Sequence, residues 1–300
     1  MAKNRIVVGI DFSEPSMETA RWAARQFAGH ELVLAHVIAI PEPPPLMSNR
    51  YPRHDLLVDT VRAGAEQRMR ELASSLGSTL VWPESREGPV AHTLNAIAAD
   101  YEARFIVVGA HGERPRVAGV IGTTAQQVAR EARVPVLLVT RPDARPIAHV
   151  LAAVDDETLA LEALRWALAL SGETGRVTAL HVSGAGMMSH ALSAATVISG
   201  APPVTPPVAR PSESTDRWVA LARAAGIETA RLESEEAFGD AVTEILGAAD
   251  RLDADLIVMG RRAAGGLRRA VLGSVTDGVL RLATRNVLVV PEPDGTEAHG

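Results

Sequence analysis

Three glycines and two hydroxyl residues carry the clearest chemical signal in the sequence. Gly109-Ala-His-Gly112 closes an apolar run, nine residues follow, and Gly122-Thr123-Thr124 opens a segment of helical periodicity. Glycines at a strand end let the backbone turn and approach a ligand closely, while a helix N-terminus offers unpaired N–H groups and a partial positive charge. The pattern predicts an anion cradle in which the Thr123 and Thr124 hydroxyls donate to phosphate oxygens, and Thr123 is also placed to cap its own helix. His111 lies inside this loop, either touching a phosphate or standing as an exposed turn residue. A glycine-rich turn followed by an ordinary helix cap is the plainer reading of the same residues.

The signal recurs further along the chain with one change. Gly260-Arg-Arg-Ala263 is followed, nine residues on, by Gly273-Ser274-Val275, so alanine stands where the second glycine was. If that position needs a positive φ the exchange is unfavourable, and the methyl group would crowd a phosphate. Arg261, Arg262, Arg268 and Arg269 surround this second loop, as guanidinium partners for phosphate or as a solvated basic surface. Other chemistries leave no trace. There is no Gly-x4-Gly-Lys-[Ser/Thr] loop, no His-Glu-x2-His motif and no Gly-x-Ser-x-Gly elbow, so a P-loop motor, a zincin and an α/β-hydrolase are not expected.

The elements that must hold these loops are written twice. Arg5-Ile-Val-Val-Gly9-Ile10-Asp11 is answered by His149-Val-Leu-Ala-Ala-Val154-Asp155, and Leu34-Ala-His36-Val37 by Leu180-His181-Val182. Phe105–Gly109 is answered by Leu256–Gly260, and Val134–Val139 by Asn286–Val290. The offset is 144 from Asp11 to Asp155, 145 from His36 to His181, and 151 from Gly109 to Gly260 and from Gly122 to Gly273, which puts the extra residues of the second copy between its second and fourth strands. Short apolar runs alternate with helical stretches such as Ser16–Phe27, Asp59–Leu76 and Val90–Tyr101, the pattern of βαβ units. Runs such as Ile-Val-Val suit strands buried on both faces of a parallel sheet. The expected fold is therefore α/β: two tandem doubly wound, Rossmann-like domains, 1–141 and 146–294, each with a five-stranded parallel sheet flanked by helices and a ligand site beyond the carboxyl ends of its strands. The prolines of Arg141–Pro146 mark the linker. Two proline-loaded stretches, 41–55 and 183–215, follow the second strand of each copy and resist assignment; composition favours disorder for the latter.

Bulk composition narrows the class. Of the 300 residues 22% are charged and 47% apolar, which predicts packed cores, and the net charge of −6 with interspersed signs argues against a nucleic-acid partner. Without cysteine, disulfides and thiolate chemistry are excluded. No apolar run approaches the ~20 residues that span a bilayer, and the start lacks the apolar core of a signal peptide, so no membrane role and a cytoplasmic location are expected. His36 and His181, inside strand-like runs with no carboxylate or nucleophile beside them, read as packed and hydrogen-bonded rather than catalytic.

The motif Gly-x2-Gly-x9-Gly-[Ser/Thr], met in full by Gly109, Gly112, Gly122 and Thr123, resembles the nucleotide motif of the ATP-binding branch of the universal stress protein family. The opening Asp11-Phe-Ser-Glu-Pro-Ser16 resembles that family's first strand-to-helix turn, and the likeness spans nearly the whole chain in two copies. The resemblance implies ATP as ligand, with or without magnesium, and nucleoside contacts at Asp11, which ends strand one, and at Val37, after the second-strand histidine. With the neighbouring Gly9 and Ile10, and with Val154, Asp155 and Val182 as second-copy counterparts, these complete the candidate set. Asp11 has a second reading, as a carboxylate capping the following helix. The function expected is a nucleotide-dependent regulator or sensor in stress response, compatible with a homodimer and acting on a protein partner that the sequence does not identify. The alternatives are a slow ATP hydrolase on the same fold and a nucleotide-free scaffold. No residue is assigned a catalytic role.

Overall fold

The computed structural model describes residues 4–39, 54–77, 81–111, 122–143, 145–155, 157–183, 217–261 and 272–293. They divide into two compact units, one within residues 1–145 and the other from Pro146 onward.

The first unit runs β1 (Arg5–Ile10), α1 (Glu14–Gln26), β2 (Glu31–Ile38), α2 (His54–Ser75), β3 (Val81–Glu87), α3 (Val90–Asp100), β4 (Phe105–Gly109), α4 (Thr123–Glu131) and β5 (Val136–Val139). Its strands lie in the order β3-β2-β1-β4-β5, all paired in parallel. The second unit repeats the plan with β6 (His149–Val154), α5 (Glu157–Leu170), β7 (Arg176–Ser183), α6 (Arg217–Ala224), β8 (Leu232–Phe238), α7 (Ala241–Arg251), β9 (Leu256–Arg261), α8 (Ser274–Leu282) and β10 (Asn286–Pro291), in the order β8-β7-β6-β9-β10. The expected doubly wound α/β fold is thus borne out. No helix among the described residues is long and apolar enough to cross a membrane.

Each element follows from its residues. Along β1, Ile6, Val7 and Val8 are all fully buried, so apolar side chains are needed on both faces and helices must cover both. In α1, Ser16, Thr19, Ala20 and Ala23 make a buried stripe at i, i+3, i+4, i+7; Ser13 caps the helix by accepting the Ser16 N–H at 3.3 Å, and Pro15 sits in the first turn. Trp22 fills the core beneath that stripe, edge-on to Phe27, which in turn meets Phe105. The crossovers from β1 to β2 to β3 step one way and those from β3 to β4 to β5 the other. Right-handed connections then place the first two helices of each unit on one face of its sheet and the last two on the other, with α3 against α4 and, in the second unit, α5 against α6 and α7 against α8. The direction reverses between β1 and β4, and between β6 and β9, where a crevice opens at the carboxyl ends.

The inserted residues are placed more narrowly than the sequence offsets allowed. β2 and β7 begin 145 positions apart, whereas β3 and β8 begin 151 apart, so the insertion precedes the third strand. Most of the proline-rich stretches 41–55 and 183–215 lies outside the described residues; His54 opens α2 and Ser183 closes β7. The helix expected from Asp59 begins at His54.

One glycine is dictated by close approach. A Cβ on Gly175, in the α5–β7 turn, would lie 2.0 Å from the Ser171 carbonyl oxygen and 2.6 Å from that of Ala148. The Arg231 guanidinium braces the same turn by donating to the Gly172 and Gly175 carbonyls at 2.5 and 3.0 Å. Gly175→Ala must push backbone aside, and we expect a loss of about 1–3 kcal/mol, read as a lower denaturant midpoint at unchanged slope.

Candidate functional site

The crevice is built most completely in the second unit. A cavity of about 400 Å³ opens there at the carboxyl ends of β6 and β9. Val154 and Asp155 enter it from the end of β6, Val182 from β7, Gly260 from β9, and Gly273, Ser274 and Val275 from the start of α8. These seven are all the second-copy candidates that fall within the described residues; Arg262 and Ala263 lie outside them. The rest of the lining comes from positions that sequence reasoning did not single out. Ala153, Leu180 and Met259 occupy one row across three paired strands, Leu159 and Ala160 belong to the first turn of α5, and Ala241, Ile245 and Thr276 come from α7 and α8. The walls are therefore mostly aliphatic, and among the described residues Asp155 is the only ionisable one lining them.

The polar end of the cavity is the start of α8. Gly273 is its N-cap residue, with φ −60° and ψ 154°, and no side chain hydrogen-bonds to the helix's first turn as a cap. Thr276 instead turns its hydroxyl to the Gly260 carbonyl at 3.2 Å, tying the helix to the end of β9.

In the first unit the same elements converge. Gly122 is the N-cap of α4, again without a side-chain cap, and its N–H donates to the Ala110 carbonyl at 2.8 Å, closing the loop that leaves β4. This corrects the expectation that Thr123 caps its own helix: Thr123 is already the first helical residue, and Thr124 the second. Gly109 ends β4, and half-buried His111 follows two residues later. Gly112 lies outside the described residues. Gly9 and Ile10 end β1, paired with Ala35 and His36, and Val37 follows on β2.

Asp11 serves the helix-capping reading directly. Its Oδ1 accepts from the Ser13 N–H at 2.9 Å and the Ser13 hydroxyl at 2.5 Å, which orients the residue that caps α1. Partial desolvation would raise its pKa, but the hydroxyls of Ser13 and Ser16 and the Ser13 N–H outweigh it and hold the carboxyl below the usual carboxylate range. Asp11 is exposed. Phe12, next in the turn, is held at φ 63° by packing: its ring lies 4.5 Å from that of His36 and 4.1 Å from the Arg68 guanidinium.

The glycines at the ends of the fourth strands also answer a packing demand. Neither Gly109 nor Gly260 has a positive φ. A Cβ on Gly109 would come within 3.3 Å of Thr19 Oγ1 and 3.4 Å of the His111 carbonyl oxygen, and one on Gly260 within 3.0 Å of Leu159 Cβ. They let the strand end pass close under α1 and α5. Arg261 likewise departs from the loop reading. It is the last residue of β9 and buried, and desolvation pushes its pKa down.

Two consecutive doubly wound α/β units, each with a small-residue strand end facing an uncapped helix start, define a tandem Rossmann-like protein. The family model described as "Universal stress protein family" matches residues 3–140 and again 146–291, so the chain belongs to the universal stress protein family and carries its domain twice. A universal stress protein of Mycolicibacterium smegmatis is 29% identical over 95% of this chain and 96% of its own length. Among solved structures, a universal stress protein of Archaeoglobus fulgidus superposes with a TM-score of 0.67 at 21% identity, over 97% of this chain and all of that one. A protein of Pseudomonas aeruginosa described as functionally unknown does so with a TM-score of 0.57 at 21% identity, over 98% and 94% of the two chains.

Proposed function

We propose that this chain binds ATP at the carboxyl ends of its sheets and acts as a nucleotide-dependent regulator in stress response. The observation that carries this reading is the cavity of the second unit, where the carboxylate and the uncapped helix start, both chosen from sequence, are brought together around an aliphatic slot that the fold supplies. An aliphatic slot suits a purine face. Asp155 and Val182, like Asp11 and Val37 in the first unit, would contact the nucleoside; the N–H groups and hydroxyls of Gly273 and Ser274, and of Thr123 and Thr124 next to Gly122, whose own N–H is held by Ala110, would hold the phosphates. The volume falls in the range of small-molecule sites. Magnesium accompanying a triphosphate would take most of its ligands from phosphate and water.

Ala263 lies outside the described residues; the second site keeps the Gly260 strand end and the Gly273-Ser274 helix start, which its cavity brings together. We therefore expect two nucleotides per chain. Denaturing the purified protein and identifying the released small molecules by mass and stoichiometry tests this. Release of adenine nucleotide at one or two per chain supports the reading. Protein that carries none, and takes up none on titration with ATP, is a nucleotide-free scaffold.

A further inference from the structure

We infer that His36 and His181 are positioning residues, each a bolt that holds together the two backbone segments forming the nucleoside end of its site. In the second unit the His181 ring reaches across from β7, with Nδ1 3.0 Å from the Val154 carbonyl oxygen. A carbonyl only accepts, so Nδ1 carries the proton. Val154 and His181 are the last opposed pair of the β6–β7 ladder, so the ring takes over where strand pairing stops. The residues on either side of this bond are the ones that line the cavity: Val154 itself, Asp155 immediately after it, and Val182 immediately after the histidine.

The first unit makes the same bond in the same place. Ile10 and His36 are the last opposed pair of the β1–β2 ladder, and His36 Nδ1 lies 2.8 Å from the Ile10 carbonyl oxygen, with Asp11 and Val37 next in the two segments. What surrounds the ring is not the same. His36 packs against Phe12 of the β1–α1 turn, with Arg68 of α2 beyond it. His181 packs 5.7 Å from Trp218 of α6, with Arg217 over the far ring and paired to Glu157 at 2.7 Å. The two copies have exchanged the aromatic partner and the element that supplies it, while the hydrogen bond to the strand-end carbonyl is kept. A histidine present only to fill space would be free to change with its neighbours.

This assignment rests on the nucleotide reading above, and its test separates the two. The full chain is compared with two paired variants. His36→Asn/His181→Asn keeps a side-chain N–H where Nδ1 lies, and His36→Leu/His181→Leu keeps bulk without the donor. Calorimetry with ATP and with pyrophosphate as probes, melting curves, and hydrogen exchange of the unliganded peptides carrying Asp11 and Asp155 are the readouts. For the leucine pair we expect ATP affinity to fall about tenfold with pyrophosphate affinity nearly unchanged, and faster exchange at both peptides; for the asparagine pair we expect recovery of both. A folded leucine pair with wild-type ATP affinity and exchange overturns the proposal, as does equal loss for ATP and pyrophosphate or failure of asparagine to rescue. If the wild-type chain binds neither probe, the nucleotide reading fails on its own, and the exchange rates alone decide whether the histidines hold the segments.

Discussion

Glutamate in place of both N-cap glycines, Gly122→Glu with Gly273→Glu, is expected to weaken ATP binding at least a hundredfold while leaving the fold as stable as before. Space for the substitution exists at both positions. Among the described residues, a Cβ on Gly273 meets nothing within 4 Å and one on Gly122 meets only the Ala110 carbonyl oxygen at 3.6 Å, and both residues have φ −60°, which any side chain tolerates. A carboxylate at a helix N-terminus is itself favourable by about 0.3–1 kcal/mol, so melting temperature should hold or rise slightly. The same carboxylate opposes a phosphate. At ~4 Å and an effective dielectric of ~20, two like charges repel by about 4 kcal/mol, and a hundredfold needs only about 2.8. Stability and binding thus move in opposite directions, which separates blockade of the site from unfolding. Calorimetric titration beside a melting curve measures both, and unchanged affinity in the folded variant would remove the helix starts from the site. Gly109→Val is a poorer probe, because its Cβ presses on Thr19 and on the His111 carbonyl, and lost binding would be confounded with lost packing.

How far the sequence reached depends on what each element asks of its residues. The central strands were legible because burial on both faces demands an unbroken apolar run, as in Ile6–Val8 and Leu256–Val258, and their repetition gave the two-domain plan. The third strand of each unit was not visible as a segment. β3 reads VWPESRE and β8 LESEEAF, because each lies at the outer edge of its unit's sheet beside β2 or β7, where charges are tolerated and guard against stray pairing. The site was legible where a strand end or helix start forces a residue type, as at Asp155, Gly260 and Gly273. Its aliphatic walls were not. Leu180, Met259 and Ala153 share a row only once β7, β6 and β9 are placed side by side in register, and Leu159 enters because Gly260 lets α5 approach. Nothing in an isolated strand distinguishes such a residue from any other core aliphatic. The strand-end glycines were recognised as residues that let the backbone turn and approach a ligand; at Gly109 and Gly260 the missing side chain also makes room for a helix. The histidines were read as packed and hydrogen-bonded, which the bonds to Ile10 and Val154 bear out, but the carbonyls they hold could be identified only from the register of the ladders.

ATP turnover should be absent or slow, well under the ~10 per second typical of enzymes. Hydrolysis requires charge stabilisation at the transferring phosphoryl group and a group that positions or deprotonates the attacking water. The helix starts offer the first, through N–H groups fixed by the fold. The second is poorly provided among the described residues: Asp155 is the only ionisable one lining the cavity, and it sits beside Val154 and Val182 at the end where the nucleoside, not the phosphate chain, is expected. In the first unit the Asp11 carboxyl is held below the usual range by its hydrogen bonds, which makes it a weak base at neutral pH. His111, beyond β4, is the remaining candidate on the phosphate side. Phosphate release at saturating ATP and magnesium, compared between the wild-type chain, His111→Ala and the paired glutamate variant, is the measurement. Near-background release in all three fits a protein that holds nucleotide in order to signal. Release of many phosphates per second by the wild type, lost in the glutamate variant, would replace the regulator with an ATP hydrolase, and loss in His111→Ala as well would name its base.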